Sequence, residues 1–104
     1  MKDPAPGIPP ELAAVESPSA LSCPVDMEVD ARQLACPLPL LKAKQGLRNV
    51  ADGGLVRVLS TDRGSLKDFV SFAHLTGHNL EGFYQQDDYY CFVLRKPPGK
   101  VILK

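Results

Sequence analysis

Three cysteines, Cys23, Cys36 and Cys91, are the residues of this chain best able to do covalent chemistry. Their number is odd and none forms a Cys-x-x-Cys pair, so a disulfide framework is not expected. Cys36 stands out by its surroundings. It opens the tetrapeptide Cys36-Pro37-Leu38-Pro39, and helical spacing follows at once. Prolines are tolerated in the first turn of a helix, where the N–H groups have no intrahelical acceptor. With Pro37 at the first helical position and Pro39 at the third, the turn is stiff. Cys36 is then expected at or near the N-cap, where the positive end of the helix favours a thiolate. Free cysteine is also a common small buried side chain. Accessibility, rigidity and thiolate stabilisation together favour a nucleophile.

The class of reaction is narrowed by what is missing nearby. A cysteine hydrolase needs a general base, and neither His74 nor His78 is placed by the sequence beside Cys36. A chain of 104 residues also leaves little room for a developed substrate cleft. A protein that carries a group on its sulfur fits better than one that cleaves a bond. His74 and His78 lie four apart, but Gly77 between them ends a helix, and the cysteines are scattered. No metal or other resident cofactor is expected.

The elements that must position Cys36 follow from periodicity. Residues 1–24 hold six of the ten prolines and no aromatic residue. Such a segment buries too little apolar surface to offset its ordering entropy, and it reads as a flexible tail. At most a marginal turn of helix is expected over Glu11 to Glu16. From Val25 to Asp30 apolar and acidic residues alternate, as in a half-buried strand. A helix is expected from Pro37 to Val50, with Leu40, Ala43, Leu47 and Val50 on its inner face. Gly46 weakens it by up to about 1 kcal/mol relative to alanine. Asp52-Gly53-Gly54 is a turn, and Leu55 to Leu59 a strand. Ser65 with Asp68 resembles a capping box opening a second helix. Leu66, Phe69, Val70 and Ala73 form its stripe, and Gly77 suits its end. Leu80 to Gln85 and Tyr89 to Arg95 read as a hairpin, turned at Gln86-Asp87-Asp88.

The order is β-α-β-α-β-β. The economical packing is α+β: a two-layer sandwich, a mixed four-stranded sheet with two helices on one face. The domain should run from 25 to 96, with 97–104 a C-terminal tail. Twelve basic and twelve acidic residues balance, which argues against binding nucleic acid through bulk charge. No apolar run nears the roughly 18 residues of a membrane span, and no signal-peptide pattern opens the chain. The cytoplasm is the expected location.

These residues resemble a known family. Asp30-Ala31-Arg32-Gln33-Leu34-Ala35-Cys36-Pro37-Leu38-Pro39 is similar to the signature of the TusA/SirA-like sulfur carriers: an Asp, a short loop, then Cys-Pro-x-Pro opening a helix. Ser60-Thr61-Asp62, Gly77-His78 and the final Leu94-Arg95-Lys96 extend the resemblance over about residues 25 to 96. It implies a two-layer α/β sandwich and a sulfurtransferase-type carrier. Sulfur would be held as a persulfide on Cys36, with a cysteine desulfurase or another donor as one partner. A downstream acceptor protein would serve tRNA thiolation, molybdenum cofactor assembly or other sulfur metabolism. Pro37 and Pro39 would hold the geometry, and Asp62 would cap the second helix or order its loop. Gln33 departs from the glycine of many members. If the loop there needs φ > 0, Gln33 is strained or follows another path.

Lys42, Lys44 and Arg48 would either dock an acidic partner or form a solvated helix face. Cys91 alternates with Tyr90, Phe92 and Leu94, which puts it on the other sheet face and partly exposed if the helices cover Tyr90. Phe83, Tyr84, Tyr89 and Tyr90 read as cross-strand packing. The alternative to a carrier is a non-catalytic regulatory module, or a thiol redox sensor pairing Cys23 with Cys36.

Overall fold

Branched and aromatic residues build the sheet, and its two central strands are buried on both faces. In the computed structural model, which describes residues 8–86 and 88–97, the strands are β1 (Met27–Ala31), β2 (Leu55–Ser60), β3 (Asn79–Gln85) and β4 (Tyr90–Arg95). They lie in the order β1-β2-β4-β3. β1 and β2 are parallel, with Met27 opposite Val56 and Ala31 opposite Ser60. β2 and β3 each run antiparallel to β4. The sheet is mixed and four-stranded, as the element order predicts.

One face carries Val56, Val58, Phe83, Phe92 and Leu94, all buried in the main core. Helices α2 (Leu38–Arg48) and α3 (Gly64–Thr76) cover it. In α2 the expected Ala43 and Leu47 are buried, but Pro39 and Gly46 share the inner face. A side chain at Gly46 would begin 2.9 Å from Val29 Cγ2 and 3.3 Å from Met27 Sδ. The glycine that weakens the helix therefore lets it sit close against β1. In α3 the stripe is Ser65, Leu66, Phe69 and Phe72, rotated from the expected one, with Val70 and Ala73 only half-buried. Phe69 stacks on Phe92 with centroids 4.4 Å apart. Each such buried aromatic contributes roughly 1.5–3 kcal/mol by removal from water. Gly77, at φ 80°, ends α3 in the left-handed conformation that glycine adopts without strain.

The expected flexible tail over 1–24 is corrected for its described part. Residues 8–24 wrap around the β3 edge. Helix α1 (Pro10–Ala13) puts Leu12, fully buried, into the main core. The chain then pairs briefly with β3: Ser17 N–H donates to Phe83 O at 2.9 Å, and Phe83 N–H to Val15 O at 3.2 Å. A 3₁₀ turn at Pro18–Leu21 crosses onto the far face, where Ala20, Leu59, Cys91 and Val93 form a second cluster. Pro10 and Pro18 begin their helical turns, where proline costs least. The segment has little apolar surface of its own, but the sheet supplies the other half of each contact.

Three expectations fall partly outside the described residues: residues 1–7 of the N-terminal tail, the turn residue Asp87, and the C-terminal tail beyond Pro97. The hairpin closes through Gln86 N–H to Tyr89 O at 2.8 Å. Among the described residues no helix is long and apolar enough to cross a membrane.

Candidate functional site

Strands β1 and β2 are parallel and each feeds a helix, so both helices begin at the same end of the sheet. That shared end is where α/β folds commonly place their ligands. Here it brings together the β1–α2 loop, the β2–α3 loop and the first turns of α2 and α3.

The β1–α2 loop is tied down at several points. Arg32 forks onto Asp30, Nε to Oδ1 at 2.9 Å and Nη2 to Oδ2 at 2.8 Å, and its N–H also donates to Oδ1. These hydrogen bonds from Arg32 pull the Asp30 carboxyl down to about 2. Gln33 has φ 74°, so it keeps the left-handed conformation despite its side chain. Its N–H donates to Thr61 Oγ1 at 2.9 Å, joining the two loops.

α2 starts one residue later than expected. Pro37 is the N-cap, Leu38 the first helical residue, and the buried Pro39 the second. Cys36 stands just outside the helix, joined to Pro37 by a cis peptide, and is exposed. The expected thiolate is corrected. Cys36 Sγ donates to Asp68 Oδ2 at 2.6 Å. That hydrogen bond, desolvation and the charges of Asp68 and Asp62 push the thiol up to about 11. The physical reason is magnitude: a helix end offers only about half an elementary charge, against two whole carboxylate charges, that of Asp68 at hydrogen-bond distance.

Asp62 orders the start of the second helix through its backbone. Its carbonyl, not its carboxylate, holds the start of α3, accepting from Ser65 N–H at 3.1 Å and Ser65 Oγ at 2.6 Å. Arg63 is the N-cap, without a side-chain cap, so the Ser65–Asp68 capping box does not form. Asp62 Oδ2 is buried with no hydrogen-bond partner. It lies beside Gly64: a Cβ there would be 2.8 Å from Asp62 Oδ2, 3.2 Å from Cys36 Cβ and 3.5 Å from Cys36 Sγ. Only a residue without a side chain lets α3 approach the cysteine this closely.

Asp68 is thus the site residue that sequence reasoning assigned to another task. The available signal was topological: a carboxylate one turn into a helix that starts at the same sheet end as Cys36. Leu38 and Leu41, 45% and 46% exposed, form an apolar flank beside the cysteine. Lys42, Lys44 and Arg48 are exposed along α2. Lys44 and Arg48 line a groove of about 290 Å³ with Leu47, Phe72, His78 and Lys96. Arg48 lies about 15 Å along the helix from Leu38, at the end away from Cys36. His78 stacks on Phe72 at 4.8 Å, and burial with nearby Lys96 lowers its pKa.

The other two thiols are separated from Cys36 by the sheet. Cys91 was expected to be partly exposed; it is fully buried under the 3₁₀ turn, donating to Ala20 O at 3.3 Å. Cys23 packs against the same far-face cluster. The Cys23–Cys36 pair of the redox-sensor alternative is therefore not brought together.

Comparison with known proteins agrees with this geometry. Residues 27–96 match the family described as Sulfurtransferase TusA. The sulfur carrier protein TusA of Allochromatium vinosum is 41% identical over 71 residues, covering 68% of this chain and 93% of the relative. TusA of Pseudomonas paraeruginosa is 34% identical over 73 residues, covering 70% and 92%. The crystal structure of a SirA-like protein from Desulfitobacterium hafniense superposes with a TM-score of 0.61 at 25% identity, covering 68% of this chain and 97% of that one. The family match begins at residue 27, after the N-terminal wrap.

Proposed function

This chain belongs to the TusA sulfurtransferase family, and on that premise we propose that it accepts sulfur as a persulfide on Cys36 and relays it to an acceptor protein. The observation that carries the reading is the exposed Cys36 thiol, held at the shared start of two helices within the family's Cys-Pro-x-Pro sequence. A donor such as a cysteine desulfurase presents an outer sulfur, and Cys36 Sγ attacks it as in thiol–disulfide exchange. Cys36 persulfide results, a reversible state of the cysteine, and no resident cofactor is needed. Pro37 and Pro39 hold the start of α2, and Asp62 orders the loop opposite. The acceptor pathway is tRNA thiolation, molybdenum cofactor assembly or other sulfur metabolism. Exposed Leu38 and Leu41, with Lys42, Lys44 and Arg48 beyond them, form the docking face for both protein partners.

The test is direct. Incubation with a cysteine desulfurase and cysteine should add one sulfur atom by mass, on the peptide containing Cys36. Cys36→Ser should abolish it; an adduct that survives this change would sink the assignment. One observation favours a second reading, a regulatory module that docks partners without sulfur chemistry: the thiol of Cys36 is raised instead of lowered. That module would gain no sulfur from any donor.

A further inference from the structure

A carrier whose nucleophile is held as a thiol needs an account of when that thiol ionises. Ionising Cys36 in place would set a third negative charge beside Asp68, at hydrogen-bond distance, and Asp62, whose buried Oδ2 has no partner. The groups acting electrostatically on Sγ are these two carboxylates, one from α3 and one from the β2–α3 loop. Gly64 leaves room for Asp62 Oδ2 and Cys36 to lie against the same point of α3. Among the described residues, both charges raising the Cys36 thiol are negative, so the site is acidic around its own nucleophile. We propose that Asp68 is a specificity-determining residue: it keeps Cys36 protonated in the free chain, and a cationic group of the docked donor, engaging Asp68, releases the thiolate only within the complex.

This inference rests on the sulfur-carrier reading above. In the exchange itself, a Cys36 Sγ lone pair forms a bond to the outer sulfur of the donor persulfide. The donor's S–S bond breaks, and its electron pair leaves on the inner sulfur. The proton given up by Cys36 ends on that departing sulfur, so the donor regains a thiol while Cys36 gains the persulfide. No external oxidant or reductant is consumed. Between encounters the protonated thiol is a poor nucleophile toward small electrophiles and oxidants, because the thiolate is the reactive form.

The experiment follows alkylation of Cys36 by iodoacetamide against pH in the full chain, read on the Cys36 peptide by mass. In the unsubstituted protein the midpoint should lie above the ordinary thiol range, near 11. Asp68→Asn should bring it down toward that range. Near neutral pH the gain in thiolate, partly offset by the weaker nucleophilicity of a more acidic thiol, leaves alkylation about tenfold faster. Asp68→Glu, which restores a carboxylate, should slow it again. Sulfur loading is then compared from a small-molecule polysulfide and from a cysteine desulfurase. The preference for the desulfurase should fall about tenfold in Asp68→Asn, a change a merely structural role would not produce. An unchanged midpoint in folded Asp68→Asn overturns the proposal. If that variant does not fold, a midpoint at or below the ordinary range in the unsubstituted protein overturns it instead. Failure of the desulfurase to load the unsubstituted protein sinks the carrier reading, whatever the midpoint does.

Discussion

Arg57 Nε donates to the carbonyl of Ala20 at 2.8 Å, fastening the N-terminal wrap to the middle of β2. The same guanidinium donates to the carbonyl of Cys23 and, at 3.1 Å, to Glu28 Oε1. A charged side chain on the far face is thus satisfied by the segment that buries it. Arg57→Met keeps much of the volume but leaves the buried carbonyl of Ala20 and the half-buried one of Cys23 without this donor. We expect a loss of about 2–3 kcal/mol in chemical denaturation, since hydrogen bonds to charged groups are the stronger ones.

Cys91 reports on that wrap. Burial pushes its thiol from 9.0 up to about 11. A thiol that holds its proton more tightly when folded stabilises the fold below its unfolded pKa. That stability is lost as pH rises from the ordinary range through about 11. Cys36 acts with the same sign, so Cys91→Ala should flatten only part of an alkaline decline in unfolding free energy. In the native protein Cys91 should resist alkylation at mildly alkaline pH. Removing residues 8–24 should expose it; equal labelling with and without the segment would contradict the packing described.

Gly46 decides how close α2 lies to β1. Helix propensity alone makes Gly46→Ala favourable by up to about 1 kcal/mol. The contact at 2.9 Å to Val29 Cγ2 reverses the sign, because the strand side chains must shift. We expect a net loss of about 1–2 kcal/mol, as for other overpacked cores. A stabilised variant in thermal unfolding would show that the helix can move outward freely.

Gln33 keeps φ 74°, where a side chain costs roughly 1–2 kcal/mol. Gln33→Gly removes that strain but loosens the unfolded chain, so the expected net gain is about 0.5–1 kcal/mol. The N–H that binds Thr61 Oγ1 belongs to the backbone and survives the change. Denaturation midpoints of the two proteins decide it: no gain would mean that the Gln33 side chain makes contacts that offset its strain.

Much of this protein was legible in one dimension. The alternation of Val25, Met27 and Val29, the stripe through Leu66 and Phe69, and the glycine at 77 specify strand, helix and helix end by local periodicity and local backbone freedom. Cys36 was legible for the same reason, since two prolines flanking the start of a helix leave few other arrangements. The family resemblance, through the glycine that many members carry there, flagged Gln33 as the position open to strain, and φ there is positive.

What tertiary structure decided depends on contacts between distant segments. Residues 8–24 look too poor in apolar surface to order themselves, yet Leu12 and Ala20 meet surface supplied from residues 59 to 93. Asp68 reads locally as a helix-capping residue. It becomes the partner of a thiol 32 positions away because two parallel strands start both helices at one end of the sheet. The protonation of Cys36 follows from that meeting. The helix end near Cys36 was visible in the sequence, but the two carboxylates that outweigh it reach the sulfur only through the fold.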